Sequence, residues 1–182
     1  MAKHRSLQTF TIAQSTGFHL IEVMLVLTLI GVIGTLSTPS LSRFINHNAL
    51  TSQVNLINSN LQVAKIIAAN KFVYVTVCPT TDNQNCAEQW QHSVMTFIDL
   101  NNNKKRDNAE EMINLYEIPK RMRLEVNRTL LRFAPFNSAA TTAATVKFCI
   151  EGVNNKALVI SNMGRIRLEQ NPAKVKCKVS DK

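Results

Sequence analysis

Residues 18–36 read FHLIEVMLVLTLIGVIGTL, nineteen residues with a single charge, Glu22. As a helix this run is about 28 Å long at ~1.5 Å per residue, close to the hydrocarbon thickness of a bilayer. It follows a leader that carries Lys3 and Arg5 and no acid. A basic leader before an apolar span tends to stay in the cytoplasm. The run is too long for a secretory h-region, and no small-x-small cleavage site follows it cleanly. A plain anchor leaves Glu22 unexplained, because a carboxylate costs about 2.5–3.5 kcal/mol at mid-membrane depth.

After Pro39 the apolar residues become periodic. Leu41, Phe44, Val54, Ile57, Leu61, Ala64 and Ala68 follow spacings of three and four, with a polar gap over residues 46–53. Ser40, Arg43, Asn46, Gln53, Asn60 and Lys71 fill the other faces. The pattern predicts one helix from about residue 18 to about residue 70, its second half packed on a head. From residue 72 the period changes to two, in a run rich in β-branched and aromatic residues that stops at Pro79. Further strands are expected at 94–99, 112–118, 122–127, 145–150, 156–161, 165–168 and 174–179, with turn or loop stretches at 101–103, 137–142 and 154–155. The fold class this implies is α+β: a long N-terminal helix packed on a C-terminal antiparallel β-sheet head.

The residues Gly17-Phe18-His19-Leu20-Ile21-Glu22-Val23 resemble the processing site of type IV prepilins and pseudopilins. The resemblance implies that a prepilin peptidase cuts after Gly17 and that the new N-terminal Phe18 is methylated. It gives Glu22 the place of the family's fifth-residue glutamate, and Pro39 the place of its helix-kinking proline. His19 stands where the family usually has a small hydroxyl residue. In a packed filament Glu22 of one subunit would pair with the Phe18 ammonium of a neighbour, which compensates the buried carboxylate and sets axial register. The implied divisions are a removed leader (1–17), a transmembrane or filament-core helix (18–39), an amphipathic helix (40–71) and a β-rich head (72–182). The implied partners are other pilins, the peptidase and, before assembly, the inner membrane that the chain crosses once. After assembly the head stands on the periplasmic side at the cell surface.

An exported head makes oxidation of its four cysteines the expectation. Cys78 and Cys86 flank a short Thr/Asp/Asn loop and are paired on that ground, leaving Cys149 with Cys177, although three pairings are open to four cysteines. Zinc is disfavoured, since no CxxC spacing and no nearby His complete a set. Asp99, Asn101, Asn103, Asp107 and Glu110 fall at offsets like those of a calcium loop. Lys104 occupies the turn position that wants Gly, however, and three successive cations, Lys104, Lys105 and Arg106, sit beside it. An Asn-rich hairpin is the reading preferred, and no metal or cofactor is expected. No nucleophile–base motif, phosphate-binding glycine loop or HExxH occurs, so enzyme chemistry is not expected.

A chain 45% hydrophobic and 18% charged is no disordered polyelectrolyte. Its 21 Lys+Arg against 12 Asp+Glu give a net +9, which points to a polyanionic partner. From Gly164 to the C-terminus there are six cations and two acids. Arg165 and Arg167 are two apart and would share one strand face, with Ile166 and Leu168 turned the other way. Lys174, Lys176 and Lys178 alternate likewise with Val175 and Cys177. Same-face neighbours lie about 7 Å apart, near the spacing of phosphates along a nucleic-acid strand. A charged strand face also protects a sheet edge from pairing with other chains, which is the plainer explanation of the same pattern.

The prepilin-type start, the β head, the 77–79 turn, the 97–99 strand with its Asn-rich loop and the Gly164-Arg165-Ile166-Arg167 run together resemble the FimT family of minor pilins, close to the pseudopilin GspH. In that family a GRxR motif is implicated in binding DNA during natural transformation. The resemblance therefore implies DNA binding, without sequence specificity, through Gly164, Arg165 and Arg167. Lys174, Lys176 and Lys178 join this set on charge alone. The alternatives are a structural minor pseudopilin of a type II secretion system and an adhesin for acidic glycans.

Overall fold

The computed structural model describes residues 19–135 and 141–178, and for residues 35–39 the backbone alone. Gly17 and Phe18 lie outside the described residues. One helix, α1 (Leu20–Lys71), is followed by eight strands: β1 (Tyr74–Thr80), β2 (Ser93–Asp99), β3 (Met112–Glu117), β4 (Met122–Val126), β5 (Leu131–Phe133), β6 (Ala144–Ile150), β7 (Lys156–Ile160) and β8 (Ile166–Glu169). The chain divides into two compact units, at Ser40 and Leu41.

In the first unit the apolar side chains from Leu20 to Ile33 are exposed, Leu20 by 76%. Glu22 lies in the first turn of α1, where a carboxylate favours the helix dipole. Among the described residues no helix is long and apolar enough to cross a membrane.

In the second unit α1 buries Leu50, Val54, Ile57, Leu61, Ala64 and Ala68, spaced alternately four and three, as one stripe. Leu41 and Phe44, which the periodicity places on this stripe, are 58% and 64% exposed instead. The polar gap at 46–53 marks where the stripe begins. The stripe packs on two four-stranded antiparallel sheets, ordered β3-β2-β1-β5 and β4-β6-β7-β8. Val75, Val77, Val94, Leu131 and Phe133 from the first sheet and Leu124, Val146, Phe148, Leu158 and Ile160 from the second close this core. Asn60, expected on a solvent face, is buried. Its amide donates to Thr96 Oγ1 at 2.7 Å, and its carbonyl accepts from Asn114 Nδ2 at 3.1 Å, so α1 is pinned to β2 and β3.

Several boundaries differ from the sequence pattern for local reasons. Phe72 takes a left-handed φ of 56° and ends the helix rather than opening β1. β1 continues through Pro79 to Thr80, paired with Val94 and Ser93 of β2. The β5 ladder reaches only Val77, so Pro79 stands where one side of β1 has no partner strand and no ladder bond is lost there. β5 has three residues, too few for an alternation to register. The segment expected as a strand at 174–179 is a turn at 172–174 followed by irregular chain to Lys178.

Candidate nucleic-acid interface

β7 and β8 form a hairpin in which Ile160 faces Ile166. The Gly164 amide donates to Ser161 O at 2.9 Å, and the Ser161 amide donates to Arg165 O at 3.0 Å. Gly164 itself has φ +70°. This is a three-residue connection built from a type I turn and a left-handed glycine bulge, a geometry that asks for Gly at its last position. The Arg165 amide donates to Ser161 Oγ at 3.1 Å and fixes the exit of the turn. Gly164 is buried, with Lys65 of α1 and Thr141 against it.

Ile166 packs on the core, so its neighbours Arg165 and Arg167 turn to the opposite side. The register identifies that side. Arg167 pairs with Val159, Val159 with Thr145, and Cys149 follows Thr145 by an even number of residues on β6. Arg167 and Cys149 therefore share the outer face of the second sheet. Arg165 is exposed, and among the described residues it has no ion-pair partner. Arg167 meets Glu169 at 3.6 Å in a pair whose arginine is exposed and whose carboxylate is mostly buried.

The segment after β8 returns across this face. Lys174 and Val175 donate their amides to Asn171 O at 3.0 and 3.1 Å, which turns the chain back. Cys177 is then bonded to Cys149. Lys147 Nζ donates to Lys176 O at 2.8 Å, Arg123 donates to Lys178 O, and the Lys178 amide donates to Glu125 Oε1 at 2.8 Å. Val175 (3% exposed) is buried, while Lys174, Lys176 and Lys178 are exposed. The alternation of apolar and cationic residues thus persists without a strand ladder. The structure brings Arg165, Arg167 and the three lysines to one face.

Arg123, opposite Cys149 on β4, belongs to the same face. Arg123 belongs to a run of five cations between Lys120 and Arg132 that the sequence pattern assigns to no face. Lys120 and Arg121 line a recess of about 790 Å³ beside the Cys149–Cys177 bond, together with Trp90. Trp90 is 6% exposed and donates its indole N–H to Arg128 O at 2.8 Å, so it offers no base-stacking platform. Arg132 belongs to the other sheet, where its guanidinium lies 4.7 Å from the Tyr74 ring centre and donates to Asn102 Oδ1. Lys104, Lys105 and Arg106 are in the loop of that other sheet as well.

That loop closes on itself. Asp99 accepts from the amides of Asn103 (3.0 Å) and Lys104 (3.1 Å), Glu110 from those of Leu100 (2.8 Å) and Asp107 (3.0 Å), and Asp107 from the side-chain amides of Asn101 and Asn103. Lys104 adopts φ 65°, the conformation a glycine would take there. Its carboxylates are satisfied by N–H groups, as in the Asn-rich hairpin. Among the described residues the one group of three potential metal ligands within reach of one ion is Glu125, Cys149 and Cys177, and its sulfurs are spent in the disulfide. Cys78 is bonded to Cys86.

A single helix packed by one stripe on antiparallel sheets, with an exposed apolar start, defines a pilin-like subunit. The family model for type II transport protein GspH matches residues 53–164, more than half of the chain. The chain belongs to this FimT/GspH family of minor pilins and pseudopilins. Members of such a family associate with other pilins in a filament. Two crystal structures of the Pseudomonas aeruginosa type IV minor pilin FimU match it in fold, each at 19% identity. The first has a TM-score of 0.54 over 73% of this chain and 96% of that one, and the second 0.51 over 70% and 97%. No curated protein matches the sequence. The family match ends at Gly164, so Arg165, Arg167 and the lysine segment lie beyond it.

Proposed function

We propose that this minor pilin binds extracellular DNA through phosphate contacts, as a subunit of a pilus used for natural transformation. The observation that carries the reading is that the strand leaving the Gly164 turn and the disulfide-tethered lysine segment lie on the same outer face of the second sheet. Guanidiniums at Arg165 and Arg167 suit bidentate phosphate contacts, and Lys174, Lys176 and Lys178 add point charges. Among the described residues this outer face offers no recognition helix and no exposed aromatic platform, so backbone contacts dominate and sequence is not read. Such binding weakens with salt, by about 0.9 log unit per log unit for each phosphate neutralised on a duplex.

The delivery of this face rests on the prepilin features. Cleavage after Gly17, methylation of Phe18, single-pass insertion of the apolar run in the inner membrane, and pairing of Glu22 during assembly are parts of the same proposal. The exposed apolar residues from Leu20 onward support it, since such a surface needs lipid or neighbouring subunits to cover it.

A second reading is a structural pseudopilin of a type II secretion filament that binds no DNA. The extent of the family match favours it, because residues 53–164 exclude Arg165 and Arg167. The test that separates the two is transformation in a strain carrying Arg165→Gln and Arg167→Gln, with pilus assembly and protein secretion checked in parallel. Lost transformation with intact filaments supports DNA binding. Unchanged transformation in that strain refutes it.

A further inference from the structure

The end of β8 opposite the Gly164 turn opens on a second cationic site. A recess of about 720 Å³ is lined by Arg43 and His47 of α1, the β6–β7 turn at Gly152 and Asn154, Lys156, and Gln170, the residue after β8. Arg43 and His47 are one helical turn apart and so share a face of α1. Thr51, a further turn along, accepts from Lys156 Nζ at 3.0 Å, which aligns the lysine with this stripe. No Asp or Glu lines the recess. Of the two acids adjoining it in sequence, Glu151 lines the recess beside Trp90 instead and Glu169 pairs with Arg167. Gly152 has φ +81°, and a side chain there would meet nothing within 4 Å, so the mouth is open.

We infer that this recess takes phosphodiester groups of the same nucleic acid that the Gly164 turn engages. The inference rests on the DNA reading of that turn. From Arg165 to Gln170 the chain advances about 17 Å at ~3.4 Å per residue, room for two or three phosphates along a strand at ~7 Å each. Arg43 and Lys156 supply fixed positive charge, and the open glycine turn admits a bulky anion. Lys156 pairs with the core residue Phe148 and bonds Thr51 of α1, so the recess opens on the helix side of the sheet while Arg167 faces the outer side. The two cationic sites flank the β8 edge, and DNA that wraps this edge is held at two separated points rather than at one turn.

The experiment is fluorescence anisotropy of a labelled duplex of about 20 bp with the full chain in nonionic detergent, over a salt series, for three proteins. These are the parent, Arg43→Gln with Lys156→Gln, and Arg165→Gln with Arg167→Gln. The expectation for the Arg43/Lys156 variant is an affinity about tenfold lower and a salt slope shallower by about 1.8. Charge-preserving Arg43→Lys with Lys156→Arg should restore most of both. If the Lys156 change lowers the melting temperature, Arg43→Gln alone, at an exposed helix position, should lower the slope by about 0.9. An unchanged slope in the Arg43/Lys156 variant, with binding weakened in the Arg165/Arg167 variant, overturns the second site and leaves the turn standing. Unchanged binding in both variants overturns both. Weakened binding in the Arg43/Lys156 variant alone keeps the recess as a site and removes the turn.

Discussion

The side chain of Lys65 crosses Gly164: a methyl group on that glycine would stand 3.6 Å from both Cδ and Cε of Lys65 and 3.4 Å from Thr141 Oγ1. The turn that aims Arg165 and Arg167 is thereby seated on α1. Gly164→Ala should cost about 1–2 kcal/mol, chiefly because φ +70° is strained for a residue with a Cβ. DNA affinity should fall with it, although no charge is removed. Thermal unfolding and band-shift titration of this variant check both parts.

The Cys149–Cys177 bond spans 28 residues and holds the lysine segment against β6. Replacing both cysteines by Ser should cost about 3.6 kcal/mol by loop-closure entropy. It should also lower DNA affinity, because Lys174, Lys176 and Lys178 lose their common anchor. The same change at Cys78 and Cys86, with a separation of 8, should cost less and leave DNA binding intact. Melting curves paired with anisotropy titrations separate the two effects.

Asn60 ties the helix to the first sheet through Thr96 and Asn114. Asn60→Ala removes both bonds and leaves the buried Thr96 hydroxyl without this donor. The expected loss is about 1–3 kcal/mol. Denaturant unfolding should show a lower midpoint with an unchanged slope.

Asp82 caps the loop between Cys78 and Cys86. Its carboxylate accepts from the Asn85 amide (2.8 Å), the Asn85 side chain (2.7 Å), the Gln84 amide (2.9 Å) and Thr80 Oγ1 (3.2 Å). These donors, the Asn85 amide foremost, hold its pKa well below the usual carboxylate range. A depressed pKa contributes stability above the unfolded value, near 4, and loses it as pH falls through the folded one. Protection of the Asn85 amide against hydrogen exchange should therefore persist from neutral pH down to about 4 and fade only in stronger acid. In Asp82→Ala it should be low throughout. Exchange measured across this range decides the point.

Much of the fold was legible because it is written as periodicity. The three–four spacing of Val54, Ile57, Leu61, Ala64 and Ala68 defines the helix stripe, and alternation locates seven of the eight strands. The departures have local causes that no period encodes. Phe72 adopts a left-handed conformation, Asn60 is buried against Thr96 and Asn114, and Pro79 survives in a strand because one flank is open. At the interface, Arg165 and Arg167 could be placed on one strand face from their spacing. The route of Lys174–Lys178 could not, since it depends on the disulfide and on bonds to Lys147, Arg123 and Glu125. In the sequence Arg43 is only one residue of a polar helix face, and Lys65 is an isolated cation on the same helix. Their meaning comes from the turns that face them.

The central claim is that the outer face carrying Arg165 and Arg167 binds DNA. Its most direct measurement is the affinity of the full chain for a nonspecific duplex when both arginines are changed to Gln. The expected result is a loss of at least tenfold at moderate salt, with a salt slope shallower by about 1.8 and an unchanged melting temperature. Equal affinity and equal slope in parent and variant would contradict it.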